Sequence, residues 1–146
     1  MVQSPVGARC PDCAVIGQAP IFRATTLELV RTIVLSVGAA AAFGFAYSAA
    51  VWTTWKLGIS FQIATVVISV LVGVSGAPLG DFVRRAGKYK LDRRLRTVAA
   101  GTMFLAWLFA QFFVGWLGVG NAIFLNIVSY LGLGVGVYIA MNRVRP

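Results

Sequence analysis

The residues with the most ready chemistry in this chain are Cys10-Pro11-Asp12-Cys13. Two thiolates two residues apart on a tight turn converge on one tetrahedral metal ion, as zinc knuckles do. A closed zinc site takes four ligands, and the 146 residues contain 2 cysteines and no histidine. Asp12 is a poor substitute because it lies between the cysteines, where its side chain points away from a shared metal. Cys10 and Cys13 are therefore half a metal site. A competing chemistry is thiol exchange, which needs the first thiolate at a helix N-terminus in a thioredoxin-like βαβ setting. Nothing around Cys10 provides that setting, and a cytoplasmic location keeps thiols reduced. The third reading gives the pair no metal role. A lipoprotein signal is not expected, since Arg9 puts a charge just before Cys10.

Composition narrows the rest. The absence of histidine removes most zinc hydrolases, Ser-His-Asp triads, Cys-His pairs and haem sites. No nucleophile sits with a base, no carboxylates pair and no phosphate loop occurs, so the chain is read as a non-enzyme. It is 59% hydrophobic and 12% charged, against roughly 45–50% and about 25% in soluble domains. The formal charge of +9 would suggest nucleic acid or disorder in a polar chain, but an apolar fraction this large excludes both. An integral membrane protein is the expectation.

The elements that must carry the cysteines follow from the charges. Residues 32–55 and 57–80 are two uncharged stretches of 24, and residues 97–142 form one of 46. One crossing takes roughly 20 apolar residues at 1.5 Å rise per residue. The first two stretches each fit one helix. The third fits two, with Gly118, Gly120 and Asn121 as the turn. The expected fold is an all-α membrane protein with four transmembrane helices near 29–52, 58–79, 97–117 and 121–141. A cytoplasmic segment (1–26) precedes the helical domain (27–142), a basic loop spans 81–96 and a tail covers 143–146.

Lys and Arg are retained on the cytoplasmic side. Grouping both termini with the 81–96 loop places 12 basic residues on one face and Lys56 on the other. The bundle is thus expected in the bacterial inner membrane with N and C termini inside, and Trp52, Trp55 and Trp116 at the outer interface. Cleavage of the first span as a signal peptide is the competing reading. Small residues at Ala46, Ser48 and Ala49 suit it, whereas the long leading segment and the full spanning length do not.

The stretch Met1-Val2-Gln3-Ser4-Pro5-Val6-Gly7-Ala8-Arg9-Cys10-Pro11-Asp12-Cys13-Ala14 resembles the last third of a B-box-like zinc-finger module. Such modules precede transmembrane helices in a group of bacterial membrane proteins, some of them rhomboid-like. Gly76-Ala77-Pro78-Leu79-Gly80-Asp81-Phe82-Val83-Arg84-Arg85 and the basic loop after it are similar to four-span members of that group. The resemblance implies a zinc-binding interaction module whose upstream ligands are missing here. Three completions follow: an internal methionine taken as the start, two chains each donating Cys10 and Cys13 to one zinc, or a remnant that binds nothing.

Within 81–96, Arg84, Arg85, Lys88, Lys90, Arg93, Arg94 and Arg96 are candidate contacts for anionic headgroups, each worth about 1 kcal/mol. Phe82 and Tyr89 are too sparse for base stacking, so no nucleic acid is expected. Glu28 is expected to pair with Arg31 or Arg23, or to complement a helix N-terminus. The spans contain no ionisable residue of the kind proton relays use. Tyr47, Gln62, Gln111 and Asn126, with Ser48, Thr65 and Ser129, would line an outer polar pocket or else bond between helices. Small residues four apart (Ala40, Gly44, Ser48; Gly76, Gly80; Gly132, Gly136, Ala140) permit close helix contact within one chain or between chains. The functional expectation is an interaction or assembly role. The alternatives are a small-molecule or lipid transporter not coupled to protons, and an accessory subunit of a larger membrane complex.

Overall fold

The computed structural model describes residues 2–4, 7–9, 24–90, 92–118 and 126–144. At the N-terminus, β1 (Val2–Ser4) and β2 (Gly7–Arg9) form an antiparallel hairpin, Val2 opposite Arg9 and Ser4 opposite Gly7. The helices are α1 (Thr26–Lys56), α2 (Phe61–Val74), α3 (Gly76–Ala86), α4 (Arg93–Trp116) and α5 (Ile127–Arg143). Three runs are long and apolar enough to cross a membrane: α1, the stretch Phe61–Ala86 made by α2 and α3, and α4. The protein is an all-α, membrane-embedded bundle apart from its short hairpin. The fourth helix, α5, has 17 residues, about 25 Å of length.

At the basic end the helices overrun the spans expected from charge, and α1 does so at both ends, because caps rather than charges stop them. A capping box starts α1: Thr25 N–H donates to the Glu28 carboxylate at 3.0 Å, and Glu28 N–H donates to Thr25 Oγ at 3.4 Å. From there α1 runs 31 residues, about 46 Å against a hydrocarbon core of about 30 Å. It ends where Gly58 takes a φ of +65° and Ile59 N–H returns to the Thr54 carbonyl at 3.2 Å, the glycine-led helix stop. Gly118, at φ +70°, plays the same part after α4. The fourth helix starts later than residue 121 among the described residues, where the Asn126 side chain accepts from Val128 N–H at 3.3 Å. The basic segment 81–96 is mostly helix, and only 87–92 link α3 to α4.

The break between α2 and α3 has a covalent cause. Pro78 has no N–H for the Val74 carbonyl and its ring crowds that carbonyl. Ser75 stands at the junction in a near-helical conformation, φ −65° and ψ −12°.

Helix neighbours do not follow chain order. Most of the packing of α1 is against α4, while α5 packs on α2, α3 and α4; α1 and α2 touch little. At the α2/α3–α5 seam, backbone meets backbone. A Cβ on Gly76 would collide with the Gly136 carbonyl, and one on Gly132 with the Ser69 carbonyl. A Cβ on Gly80 would stand 2.8 Å from the Ala140 carbonyl oxygen. The small-residue rows read from the sequence are thus used inside one chain. Ile68, Val72, Leu79, Met103, Ala106 and Val114 fill the central core. Phe112, Trp116 and Ile127 are at least two-thirds exposed, as on a surface that faces lipid rather than water.

Candidate functional site

The start of α1, the end of α3, the start of α4 and the end of α5 come together at the basic end. Beneath it lies a small core of Val83, Leu95, Ala99, Ala140 and Val144, with Leu29 and Val98 against it. The α3–α4 connection is tight. Tyr89 N–H donates to the Arg84 carbonyl at 2.9 Å and Lys88 N–H to the Arg85 carbonyl at 3.0 Å. This is the double bond pattern that usually places glycine in the left-handed region, yet Lys88 and Tyr89 occupy it, with φ of 54° and 57°. Gly87 sits one residue too early for that role because of packing: a Cβ there would lie 2.6 Å from Leu95 Cδ1.

Left-handed non-glycine residues cost about 1–2 kcal/mol each, so the turn needs outside support. Lys90 Nζ lies 2.5 Å and Lys88 Nζ 3.3 Å from the Glu28 carboxylate. The Arg84 guanidinium sits over the Tyr89 ring, 5.4 Å from its centroid. Asp92 caps α4 by accepting from Arg94 N–H at 2.9 Å, and its other oxygen accepts from Ala24 N–H at 3.0 Å. Two carboxylates therefore cross over. Glu28 of α1 reaches the turn, and Asp92 of the turn reaches the chain entering α1.

Among the described residues the partners of Glu28 are thus Lys88 and Lys90 rather than the Arg31 expected from sequence proximity; Arg23, the other expected partner, lies outside the described residues. The expected service to a helix N-terminus is present in the capping box. Glu28 stands one residue ahead of the 29–52 stretch, and its carboxyl is held down at about 2, first by Lys90 and then by the Thr25 N–H.

The seven candidate headgroup contacts divide accordingly. Lys90 is turned inward onto Glu28, while Lys88 keeps 62% of its side chain exposed. Arg84, Arg85, Arg93 and Arg94 are exposed; Arg96 is half-buried and its Nε has no hydrogen-bond partner among the described residues.

The uncharged polar residues are placed as follows. Tyr47 is buried and bonded to Ser75 at the α2/α3 break. Ser75 Oγ donates to the Val72 carbonyl at 2.7 Å, which leaves its oxygen to accept from the Tyr47 phenol. Ser48 donates to the Phe45 carbonyl and Thr65 to the Phe61 carbonyl, each at 2.8 Å. Ser129 accepts from Trp107 Nε1 at 3.1 Å, joining α5 to α4. Gln62 is exposed on α2, and Asn126 serves as the α5 cap. Gln111 is half-buried, with its amide nitrogen unpartnered among the described residues.

Cys10 and Cys13 lie outside the described residues, just after β2. Among the described residues no group of three or more His, Cys, Asp or Glu side chains is placed to hold a metal. The two thiolates of this chain are half the donors that a tetrahedral zinc takes.

Sequence reasoning singled out Tyr47 but missed Ser75, Trp107 and Asp92. Pro78 is the available signal for Ser75, since a proline interrupts the helix one turn upstream of itself and Ser75 stands at that junction. Asp92 carries a local signal as an acid placed to cap α4, but nothing local marks its bond to Ala24, 68 residues away, or that of Trp107 to Ser129, 22 residues away. No protein-family model, curated protein or solved structure matches the chain.

Proposed function

We propose that this chain is a multi-pass protein of the bacterial cytoplasmic membrane that works by interaction or assembly rather than catalysis. In this reading it has four spans, α5 being the fourth, and both termini face the cytoplasm. The observation that supports it best is the separation of charge along the bundle. The described basic residues of α3, α4 and α5 gather at one end, with Arg31 of α1 on their side. Lys56 stands at the other, its Nζ 5.5 Å from the Trp52 ring centroid. Retention of Lys and Arg on the inner side supplies the direction.

Thiol accessibility tests the reading. In intact cells a membrane-impermeant maleimide should leave Cys10 and Cys13 unlabelled, and permeabilisation should expose them. An Ile59→Cys variant in a Cys10→Ser/Cys13→Ser background should be labelled from outside. The reverse pattern overturns the orientation.

The cysteine pair is read as a partial metal module that a second copy completes. The pair offers two donors of the four that a structural zinc takes. Purified under reducing conditions, the chain should carry about half a zinc, two chains sharing each four-ligand ion. The Cys10→Ser/Cys13→Ser variant should carry none. Zinc-free wild-type protein would remove the module from this reading and leave the bundle's topology standing.

A further inference from the structure

A groove of about 320 Å³ runs along the outside of the α2–α5 seam, walled by Val66, Val70 and Val74 of α2 and Leu131, Val135 and Ile139 of α5. Gly73 and Gly132 line it between these walls, Gly132 lying against the Ser69 main chain in the seam beneath. Along α5 it runs from Val128 to Ile139. Those positions are 15 and 4 residues before Arg143, about 22 and about 6 Å along the helix axis. One leaflet's share of the hydrocarbon core is about 15 Å, so the groove covers the depth of an acyl chain hanging from the Arg143 end.

That end is positive. Arg143 lies on the same seam, where its Cβ would be 2.9 Å from a Cβ on Gly80. On the other wall, Val66, Val70 and Gly73 of α2 lead across the break to Ala77, Asp81 and Arg84 of α3, where Arg84 is exposed. Asp81 lies one turn before Arg84, leaving two cations to one anion there. Lys88 and Lys90 are drawn to Glu28 across the bundle end, whereas Arg84, which lies over the Tyr89 ring, stays exposed. A groove without charge that runs towards two arginines matches a molecule with an apolar tail and an anionic head.

We propose that the α2–α5 groove holds one acyl chain of an anionic phospholipid of the inner leaflet, with its phosphate between Arg143 and Arg84. The leaflet assignment rests on the orientation proposed above; the site itself does not.

The full chain, purified in mild detergent, would be mixed with phosphatidylglycerol or with phosphatidylcholine of the same acyl chains, and retained lipid read by native mass spectrometry. One phosphatidylglycerol per chain is expected, in preference to phosphatidylcholine. Arg143→Gln and Arg84→Gln should each lower its retention about fivefold, and Arg143→Lys should largely restore it. Val135 is 53% exposed on the α5 wall beside Gly73, so Val135→Trp fills the groove from that wall. It should abolish retention while the melting temperature stays near that of wild type. Equal retention of the two lipids, or full retention by Val135→Trp, overturns the site. Cys10 labelled from outside while phosphatidylglycerol is still selected would overturn only the inner-leaflet assignment.

Discussion

The two principal helix pairs of this bundle solve close packing differently. Where α5 meets α2 and α3, glycine faces carbonyl on both sides, and Gly76, Gly80, Gly132 and Gly136 let main chains touch. Where α1 meets α4, Gly44 is the close point. A Cβ on it would lie 2.5 Å from Phe109 Cβ and 2.9 Å from the Ala106 carbonyl. The rest of that contact is carried by side chains such as Val51, Ala110 and Val114. The pairs also differ in freedom. The apolar window of the α2–α3 run is 56% buried and that of α1 is 22% buried. A helix held on several sides cannot retreat from an added atom, whereas one held on a single side can shift outward into lipid.

That difference orders the expected effects of substitution. Gly76→Ala should be the most damaging, because its Cβ meets a carbonyl in a seam confined on both flanks. A loss of about 3 kcal/mol is expected, measured by titrating the purified protein from mild detergent into dodecyl sulfate and following helix content. Gly44→Ala should cost less, about 1–2 kcal/mol, since α1 is free to back away. Equal losses would mean that the freedom of α1 does not matter. Tyr47→Phe removes the bond from α1 to the α2/α3 break and should cost about 0.6 kcal/mol, the average for interhelical bonds in membranes. Ser75 would keep its bond to Val72, so a loss several times larger would show that the break itself depends on α1.

Glu28→Gln acts outside the packed interior. It should loosen the turn at 87–90, seen as faster amide exchange, and shrink the response of that turn to added salt. Because its carboxyl is held at about 2 rather than the ordinary 4.5, the ionised group's support is complete above about pH 4.5 and fades as pH falls through about 2. The variant should lack this acid-sensitive step. The smallest loss is expected at Gly134, where a Cβ would meet nothing within 4 Å. Gly134→Ala should leave stability unchanged or raise it by up to about 1 kcal/mol. Together these variants separate glycines that packing requires from glycines that it merely tolerates.

Much of this architecture is legible along the chain. Stretches 32–55, 57–80 and 97–142 without charge locate the helical runs, because a charge in hydrocarbon is costly. Gly58, placed at the start of the second span by charge, instead ends α1, and Pro78 breaks the second run without ending it, since the run continues to Ala86. The site is less legible. Lys88, Lys90 and Arg84 read alike as basic loop residues, yet Glu28 takes the two lysines and Arg84 lies over Tyr89. Which cation an acid finds depends on where α1 lands beside the α3–α4 turn, and that is a distance of about sixty residues along the chain.

Partner choice between helices is the part that only the tertiary structure decides. Helix α1 carries two rows of small residues at the same four-residue spacing. Gly38, Ala42 and Ala46 are exposed, and Ala40, Gly44 and Ser48 are turned inward. By composition the rows are nearly equivalent. Lipid tails are as apolar as leucine, so no hydrophobic drive between helices prefers one face. The choice falls to shape, to the match of Gly44 with the Phe109 turn of α4 and of Gly76 with Gly136 of α5. By itself, the sequence determines where helices can run and which end is basic, since both follow from the energetics of single residues in lipid and water. Which faces meet depends on pairs of surfaces, and those exist only once the helices have packed.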